Sequence, residues 1–153
     1  MKIAIIVHSF TGHTLEVANK LKVSLETKGH QVVLDQVNAV SNDPNHNKPT
    51  LINAPSIEGY DLLYFCSPVQ AFSLARIMTS YLKQLPVIKE TKARCIITKY
   101  LKQQWLGGNS AIRKMESILK TKNIICEKSG VVVWKSEERE QLIEELCASM
   151  SEV

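Results

Sequence analysis

The sequence predicts a single doubly wound α/β domain, in which a five-stranded parallel sheet carries helices on both faces. Two observations carry this prediction. The first is a series of short, almost continuously apolar stretches such as Lys2–Val7 and Asp61–Cys66, which are typical of strands buried on both faces of a parallel sheet. The second is that amphipathic helical patterns separate these stretches, which implies right-handed crossovers. The chain has 153 residues, and we expect residues 1–153 to form one domain.

Each element has its own local signal. An apolar stripe of period 3.6 predicts a helix, and glycine or proline marks where a helix ends. The predicted elements are, in order, strand Lys2–Val7, a helix with Leu15, Val17, Ala18, Leu21 and Leu25 that ends at Gly29, strand Gln31–Gln36, strand Asp61–Cys66, a helix with Leu74, Ile77, Met78, Tyr81, Leu82 and Leu85 that stops at Pro86, strand Ala93–Thr98, a helix with Ile112, Met115 and Leu119, strand Ile124–Trp134 with a bulge or kink at Gly130, and a last helix capped by Ser136.

The segment from Asn38 to Gly59 breaks the alternation of strands and helices. Its Ser-Asn-Asp-Pro-Asn-His-Asn-Lys-Pro run fits no helix. Long loops inside a compact domain are either functional or mobile. We therefore expect a shortened or irregular crossover here.

The stretch Ser9-Phe10-Thr11-Gly12-His13-Thr14 joins the first strand to the first helix. Backbone N–H groups, small hydroxyls and the positive end of a helix dipole would converge in such a junction, which suits a phosphate group. An ordinary turn with a threonine cap is the alternative reading. In doubly wound sheets, ligands bind beyond the carboxyl ends of the strands, where this junction would meet the loop after the third strand.

Composition and charge exclude several classes of protein. Residues 1–135 hold 18 of the 19 lysine and arginine residues but only 9 of the 15 acidic ones, so the body is basic and the last helix acidic. The lysines of this basic body are scattered along the sequence, and no aromatic-rich nucleic-acid motif accompanies them. We therefore expect no nucleic-acid partner. No apolar run approaches the roughly 18 residues of a membrane span, and the apolar stretch Lys2–Val7 is too short for a signal peptide, so we expect none. The four cysteines show no metal-binding spacing, which favours free thiols in a cytoplasmic protein.

These loops resemble those of the flavodoxin family. Ser9-Phe10-Thr11-Gly12-His13-Thr14 is similar to that family's Ser/Thr-x-Thr-Gly-x-Thr loop, which wraps the phosphate of flavin mononucleotide (FMN). The loop Ser67-Pro68-Val69-Gln70-Ala71-Phe72 resembles the Ser-Pro-Val-Tyr-type segment beside the flavin ring, although Gln70 stands where relatives often carry an aromatic residue. The segment Tyr100–Gly108 follows the fourth strand, where the family closes over the ring, and its Gly-Gly-Asn-Ser resembles flavodoxin-like domains of anaerobic bacteria that occur alone or fused to ferredoxin.

The resemblance implies a flavodoxin-like sheet of order 2-1-3-4-5, an FMN cofactor and a redox partner protein, either ferredoxin-like or a reductase. It implies that the phosphate is held by the first loop and the ring by aromatic walls and nearby backbone. The implied cofactor-binding residues are Ser9, Phe10, Thr11, Gly12, His13, Thr14, Ser67, Pro68, Val69, Gln70, Phe72, Tyr100, Trp105, Gly107 and Gly108. We expect no catalytic residue and no metal ligand. Phe72 has a second interpretation, as a core anchor of its helix.

Two alternative functions remain at this point. One is an FMN-dependent reductase or oxidase of a small molecule, whose basic surface recruits an anionic substrate. The other is a flavodoxin fold that has lost FMN and acts as a binding module. A nucleophilic pair of His8 and Cys66, which end neighbouring strands, is a further and remote possibility.

Overall fold

The computed structural model describes residues 1–41, 48–100 and 107–153. The elements follow in the order β1 (Lys2–Val7), α1 (His13–Thr27), β2 (Gln31–Gln36), β3 (Asn38–Ala39), β4 (Leu51–Asn53), β5 (Leu62–Gln70), β6 (Ser73–Leu74), α2 (Arg76–Gln84), β7 (Thr91–Lys99), α3 (Gly108–Thr121), β8 (Ile124–Val133) and α4 (Arg139–Met150). None of these helices is long and apolar enough to cross a membrane.

The central sheet is parallel and has the strand order β2-β1-β5-β7-β8. Numbered as the five predicted strands, this is the order 2-1-3-4-5, so the predicted fold class and topology are confirmed. Along the sheet, Val7 of β1 lies beside Cys66 of β5, and Cys66 lies beside Ile96 of β7. The carboxyl ends of these three strands therefore meet at one edge of the sheet.

The helices form one layer on each face of the sheet. Alternate residues of β1 explain why its sequence is apolar throughout: Ile3 and Ile5 pack under α1 and α4, whereas Ala4 and Ile6 pack under α2 and α3. All of these side chains are fully buried. Burial on both faces is the physical reason for the continuous apolar run.

The crossover between β2 and β5 contains strands in place of a helix. β3 and β4 pair antiparallel as a small separate sheet. Residues 42–47 lie outside the described residues, and in the rest of the segment the structure has no helix, as expected. Ile57 is buried in the core beside α2, which fixes the end of the crossover.

Three predicted details of the elements are wrong. β5 continues to Gln70, and Leu74, predicted to lie on the second helix, belongs to β6, because the chain turns back at Ala71-Phe72 before the helix begins at Arg76. The last helix begins at Arg139, and the Ser136 hydroxyl accepts a hydrogen bond from the Glu138 N–H one turn earlier.

Gly130 is the third of these details. The register irregularity of β7 and β8 lies at Ala93/Arg94, where Arg94 pairs with Lys128, and not at Gly130. Gly130 packs closely under α4: an added Cβ would lie 2.3 Å from Cδ1 of Leu146, so that flexible side chain would have to shift. The missing side chain lets α4 approach the sheet closely.

Cations hold the carboxyl end of α4 against the sheet. Arg94, which is 8% exposed, donates to the Met150 carbonyl oxygen at 2.8 Å and pairs with Glu127 at 2.9 Å. Tyr64 also donates its hydroxyl to the Met150 carbonyl oxygen, and Lys128 Nζ donates to the Ser149 carbonyl at 2.7 Å. The carboxyl end of a helix carries partial negative charge, so positive charges placed there are stabilising. These contacts therefore hold α4 in place against the sheet.

Candidate functional site

Three loops start side by side at the carboxyl edge of the sheet. They follow β1, β5 and β7, which are neighbours. A backbone hydrogen bond joins the starts of the first two loops, since the His8 N–H donates to the Cys66 carbonyl at 3.0 Å. The Trp134 N–H, just after β8, donates to the Lys99 carbonyl at the end of β7 at 2.7 Å. This edge is where ligands bind in doubly wound sheets.

The first loop forms a small nest of backbone donors. Gly12 adopts φ +94° immediately before α1, a left-handed conformation that glycine adopts without strain. The N–H groups of Gly12 and Leu15 both point to the Ser9 hydroxyl oxygen, at 3.1 Å and 3.3 Å. Thr11 is exposed beside them. The nest therefore already gathers two donors around one oxygen at the positive end of a 15-residue helix.

Thr14 connects the first loop to the third strand of this edge. Its side chain is 1% exposed, and its hydroxyl shares a 2.7 Å hydrogen bond with the hydroxyl of Thr98. Thr14, which was predicted to bind the phosphate, therefore lies on the inner side of the nest. Thr98 was not among the predicted site residues, although a hydroxyl at the carboxyl end of a buried strand was a signal for it.

His13 begins α1 and stacks on Trp134 at the end of β8. The two ring centroids are 4.0 Å apart with an interplanar angle of 11°. The Arg139 guanidinium lies 4.7 Å from the centroid of the Trp134 ring. Partial burial, followed by the positive charge of Arg139, lowers the pKa of His13, so the imidazole is neutral at pH 7. Sequence reasoning placed Trp134 only as the end of a strand, because its stacking partner His13 lies more than a hundred residues earlier in the chain.

The second loop is a two-residue hairpin that presents an aromatic ring. Gln70 pairs with Ser73, and between them Ala71 and Phe72 both have positive φ, at 49° and 63°. Such turns normally use Asn-Gly, since a left-handed conformation costs other residues about 1–2 kcal/mol each. Phe72 is nevertheless 65% exposed. The interpretation of Phe72 as a core anchor is wrong, and strain that exposes an aromatic side chain is typical of a binding site.

The remaining residues of the second predicted segment lie on β5. Ser67 is buried, and its hydroxyl donates to the Pro68 carbonyl at 3.2 Å, while Pro68, Val69 and Gln70 are half-buried. They form strand in place of the predicted loop because Ser67 and Pro68 pair with β7, and β6 folds back to pair with Val69 and Gln70.

The third loop touches the second through backbone atoms. Gly107 has φ +98° and precedes α3, and a Cβ added there would lie 2.2 Å from the Phe72 carbonyl oxygen. A Cβ on Gly108 would lie 3.3 Å from Cδ of Lys99, whose side chain is almost fully buried. These glycines allow the hairpin and the start of α3 to approach. Trp105, predicted as an aromatic wall, lies outside the described residues.

Among the described residues, each of the three loops carries one exposed aromatic residue. Phe10 is 47% exposed, Phe72 is 65% exposed and Tyr100 is 59% exposed. Exposed aromatic rings on three adjacent loops provide apolar surface for a planar ligand, next to a nest suited to an anion.

His8 and Cys66 do not form a nucleophilic pair. Burial raises the pKa of the Cys66 thiol and lowers the pKa of His8, so both side chains are neutral at pH 7. The His8 Nδ1 atom lies 3.4 Å from the Val37 carbonyl. A neutral, fully buried thiol is not a reactive nucleophile. All four cysteines of the chain are free.

The solved structures most similar to this chain include several flavodoxins. That of Streptococcus pneumoniae TIGR4 is 13% identical, with a TM-score of 0.66, and the match covers 99% of this chain and 98% of that one. Flavodoxin 2 of Bacillus cereus is 18% identical with a TM-score of 0.67, and Megasphaera elsdenii flavodoxin is 14% identical with a TM-score of 0.65; each match covers 99% of both chains. No protein-family model and no curated protein matches the sequence.

The fold of this chain is therefore flavodoxin-like over its whole length. At these identities the likeness concerns the fold, and it confirms the resemblance that the sequence suggested at that level.

Proposed function

We propose that this protein binds FMN at the carboxyl edge of the sheet and transfers electrons to or from a redox partner protein, either ferredoxin-like or a reductase. The observation that carries the proposal is the convergence of a hydroxyl-lined helix N-terminus with exposed aromatic residues on three adjacent loops. An anionic phosphate and a flat apolar ring need these two features side by side.

The first loop suits the phosphate. Ser9, Thr11 and Thr14 bring hydroxyls that can donate without bringing charge, and His13 brings a backbone N–H group at the start of α1. The Gly12 N–H, which donates to the Ser9 hydroxyl, would exchange that acceptor for a phosphate oxygen. Nothing lies within 4 Å of the position of an added Cβ on Gly12, so there is open space beside its backbone. A neutral His13 adds no fixed charge to this group of donors.

The second and third loops suit the ring. Phe72 and Tyr100 are the exposed aromatic walls, with Phe10 on the first loop and Trp105 as a further expected wall. Gln70 would bring a polar amide where an aromatic residue is common in the family. Ser67, Pro68, Val69, Gly107 and Gly108 would bring backbone groups to the edge of the ring. The bound flavin would supply the electron-transfer chemistry, while these residues bind it and exclude water.

The first experiment is a titration with FMN and with riboflavin, which lacks the phosphate. We expect the purified protein to be yellow and to release FMN on heating, and the apoprotein to quench FMN fluorescence. Riboflavin should bind at least tenfold more weakly, since several charge-assisted hydrogen bonds of about 1.5–3 kcal/mol each would be lost. A colourless protein that quenches neither flavin contradicts the proposal and favours a binding module without FMN.

A pair of hairpin variants tests the ring site. Phe72→Gly removes the aromatic wall and Ala71→Gly leaves it, but both remove a left-handed non-glycine residue from the turn. We expect both variants to unfold at urea concentrations no lower than the wild type, and only Phe72→Gly to bind FMN more weakly. Equal FMN affinity in the two variants would show that the Phe72 ring does not contribute to FMN binding.

A kinetic measurement separates a carrier from an enzyme. The FMN-loaded protein is mixed with NADPH, with and without a partner reductase. We expect slow NADPH oxidation by the protein alone and fast reduction when the reductase is present. Fast turnover without any partner contradicts the carrier function and favours the flavin-dependent reductase.

A further inference from the structure

The two helix layers of this protein carry opposite charge. The layer of α2 and α3 has five cationic side chains and one carboxylate, and the layer of α1 and α4 has three cationic side chains and five carboxylates. The basic body and the acidic end of the sequence therefore become two opposite faces of the molecule. Such a charge distribution orients a charged partner before contact.

A groove opens on the basic layer. Its volume is about 580 Å³, and its lining includes four cationic residues together with two hydroxyl side chains of α2. These residues are Lys48, Arg76, Lys83, Lys114, Thr79 and Ser80. Among the described residues that line the groove there is no carboxylate. The groove is thus a concave surface with positive charges on three sides, contributed by α2, by α3 and by the end of the crossover.

The groove begins close to the candidate cofactor site. Arg76 is the first residue of α2 and directly follows Ala75, which ends the return from the Phe72 hairpin. Because α2 runs back from the carboxyl edge of the sheet, its first turn lies at the same edge as Phe72. Lys83, in the last turn of α2, carries the positive surface away from that edge.

We propose that this groove docks an acidic segment of the redox partner protein, an inference that rests on the proposed function. Carboxylates of the partner would pair with Lys83 and Lys114 and accept hydrogen bonds from Ser80. Docking there places the partner beside Phe72, the exposed aromatic residue of the second loop, where electrons would leave the cofactor. The acidic layer on the opposite face repels the acidic partner, so the molecule approaches the partner with the groove facing it.

A protein partner fits this surface better than a nucleic acid. Single strands bind in basic grooves that also offer aromatic side chains for base stacking, and no aromatic residue is among the described residues lining this groove. A short acidic segment meets only the basic layer.

Exposed charge pairs mainly affect the rate of association and are screened by salt. Lys83 and Lys114 are exposed, and α2 and α3 present them from two sides of the groove. We therefore expect docking to be fast, strongly weakened by salt, and sensitive to reversal of these two charges.

The test compares two charge-reversal variants that have the same net charge. The groove variant is Lys83→Glu with Lys114→Glu, and the control on the opposite layer is Lys22→Glu with Lys28→Glu; each changes the formal net charge from +4 to 0. The probes are a fluorescein-labelled peptide of ten glutamates and a labelled single-stranded decanucleotide of mixed sequence, followed by fluorescence anisotropy at low and at physiological ionic strength. FMN affinity is measured in parallel.

We expect the wild type to bind the glutamate peptide more tightly than the oligonucleotide, the groove variant to lose about tenfold or more of that affinity, and the control variant to lose less than about twofold. FMN affinity should be unchanged in both variants. Equal losses in the two variants would show that net charge alone attracts the peptide and would overturn the proposal, as would tighter binding of the oligonucleotide or no binding of the peptide. A wild type that binds the peptide at the groove but binds no FMN contradicts the proposed function and leaves the basic groove as a docking surface for acidic segments.

Discussion

Gly107→Ala tests the contact between the second and third loops, on which the candidate site depends. An alanine Cβ at position 107 would lie 2.2 Å from the Phe72 carbonyl oxygen and 2.5 Å from its carbonyl carbon. The obstructing atoms are backbone, so they cannot rotate away, and the hairpin and the start of α3 must separate by about 1 Å to restore a normal contact.

The expected loss of stability has two parts. The φ of +98° costs an alanine about 1–2 kcal/mol, and the forced separation adds about 1–3 kcal/mol, as overpacking in a core does. The free energy of unfolding should therefore fall by about 2–5 kcal/mol. If FMN binds between these loops, its affinity should fall by roughly tenfold or more, because the walls no longer close on the ring.

Gly29→Ala provides a matched control. Gly29 has nearly the same φ, +89°, and nothing lies within 4 Å of its added Cβ. It follows α1 at the opposite edge of the sheet, so this variant should show only the conformational cost of about 1 kcal/mol and an unchanged FMN affinity. Urea unfolding followed by circular dichroism, together with FMN fluorescence titration, measures both quantities. Equal losses of stability in the two variants would refute the argument from the Phe72 contact.

Two further predictions concern stability. Arg94→Met should lower the free energy of unfolding by about 2–4 kcal/mol, because it removes a buried guanidinium from Glu127 and from the Met150 carbonyl. The control Lys92→Met loses only a 3.7 Å ion pair between a 73% exposed lysine and the same Glu127, and should cost less than about 0.5 kcal/mol. Similar losses of stability in the two variants, measured by urea unfolding, would show that the buried Arg94 contacts do not stabilise the fold. The pKa values of His8 and His13 are lowered from 6.5 in the folded protein, chiefly by burial, so the unfolded chain takes up protons first as the pH falls below 6.5. Stability should therefore decrease as the pH falls below about 6.5, and less so in His8→Leu; a stability that rises on acidification would show that the histidines are not held neutral.

Much of the fold could be predicted from the sequence because its signals are local. The apolar runs of β1, β5 and β7 and the stripes of α1 and α3 depend only on residues two to four positions apart. The nest of Ser9 to Gly12 could be predicted in the same way, since a strand, a glycine and a helix start follow one another directly. The elements that were misplaced, such as β6 and the start of α4, are those whose ends depend on pairing or packing with distant parts of the chain.

The hairpin at Ala71-Phe72 shows why local signals failed at the second loop. Neither residue favours a positive φ, so nothing in the sequence indicates a two-residue turn there. The turn exists because β6 pairs with β5 and because Gly107, more than thirty residues later, leaves room for the Phe72 carbonyl. Tertiary contacts thus overrode the local preference and turned Phe72 outward.

By itself, the sequence determined the alternation of strands and helices, the doubly wound class and the glycine turn with hydroxyl residues before α1. Only the tertiary structure decided that Thr98 binds Thr14, that Trp134 stacks on His13 and that the charges separate onto two opposite layers. The reason is physical: a periodic pattern reports which face of an element is buried, whereas a contact between residues far apart in the chain depends on which strands are neighbours and how closely their loops can approach.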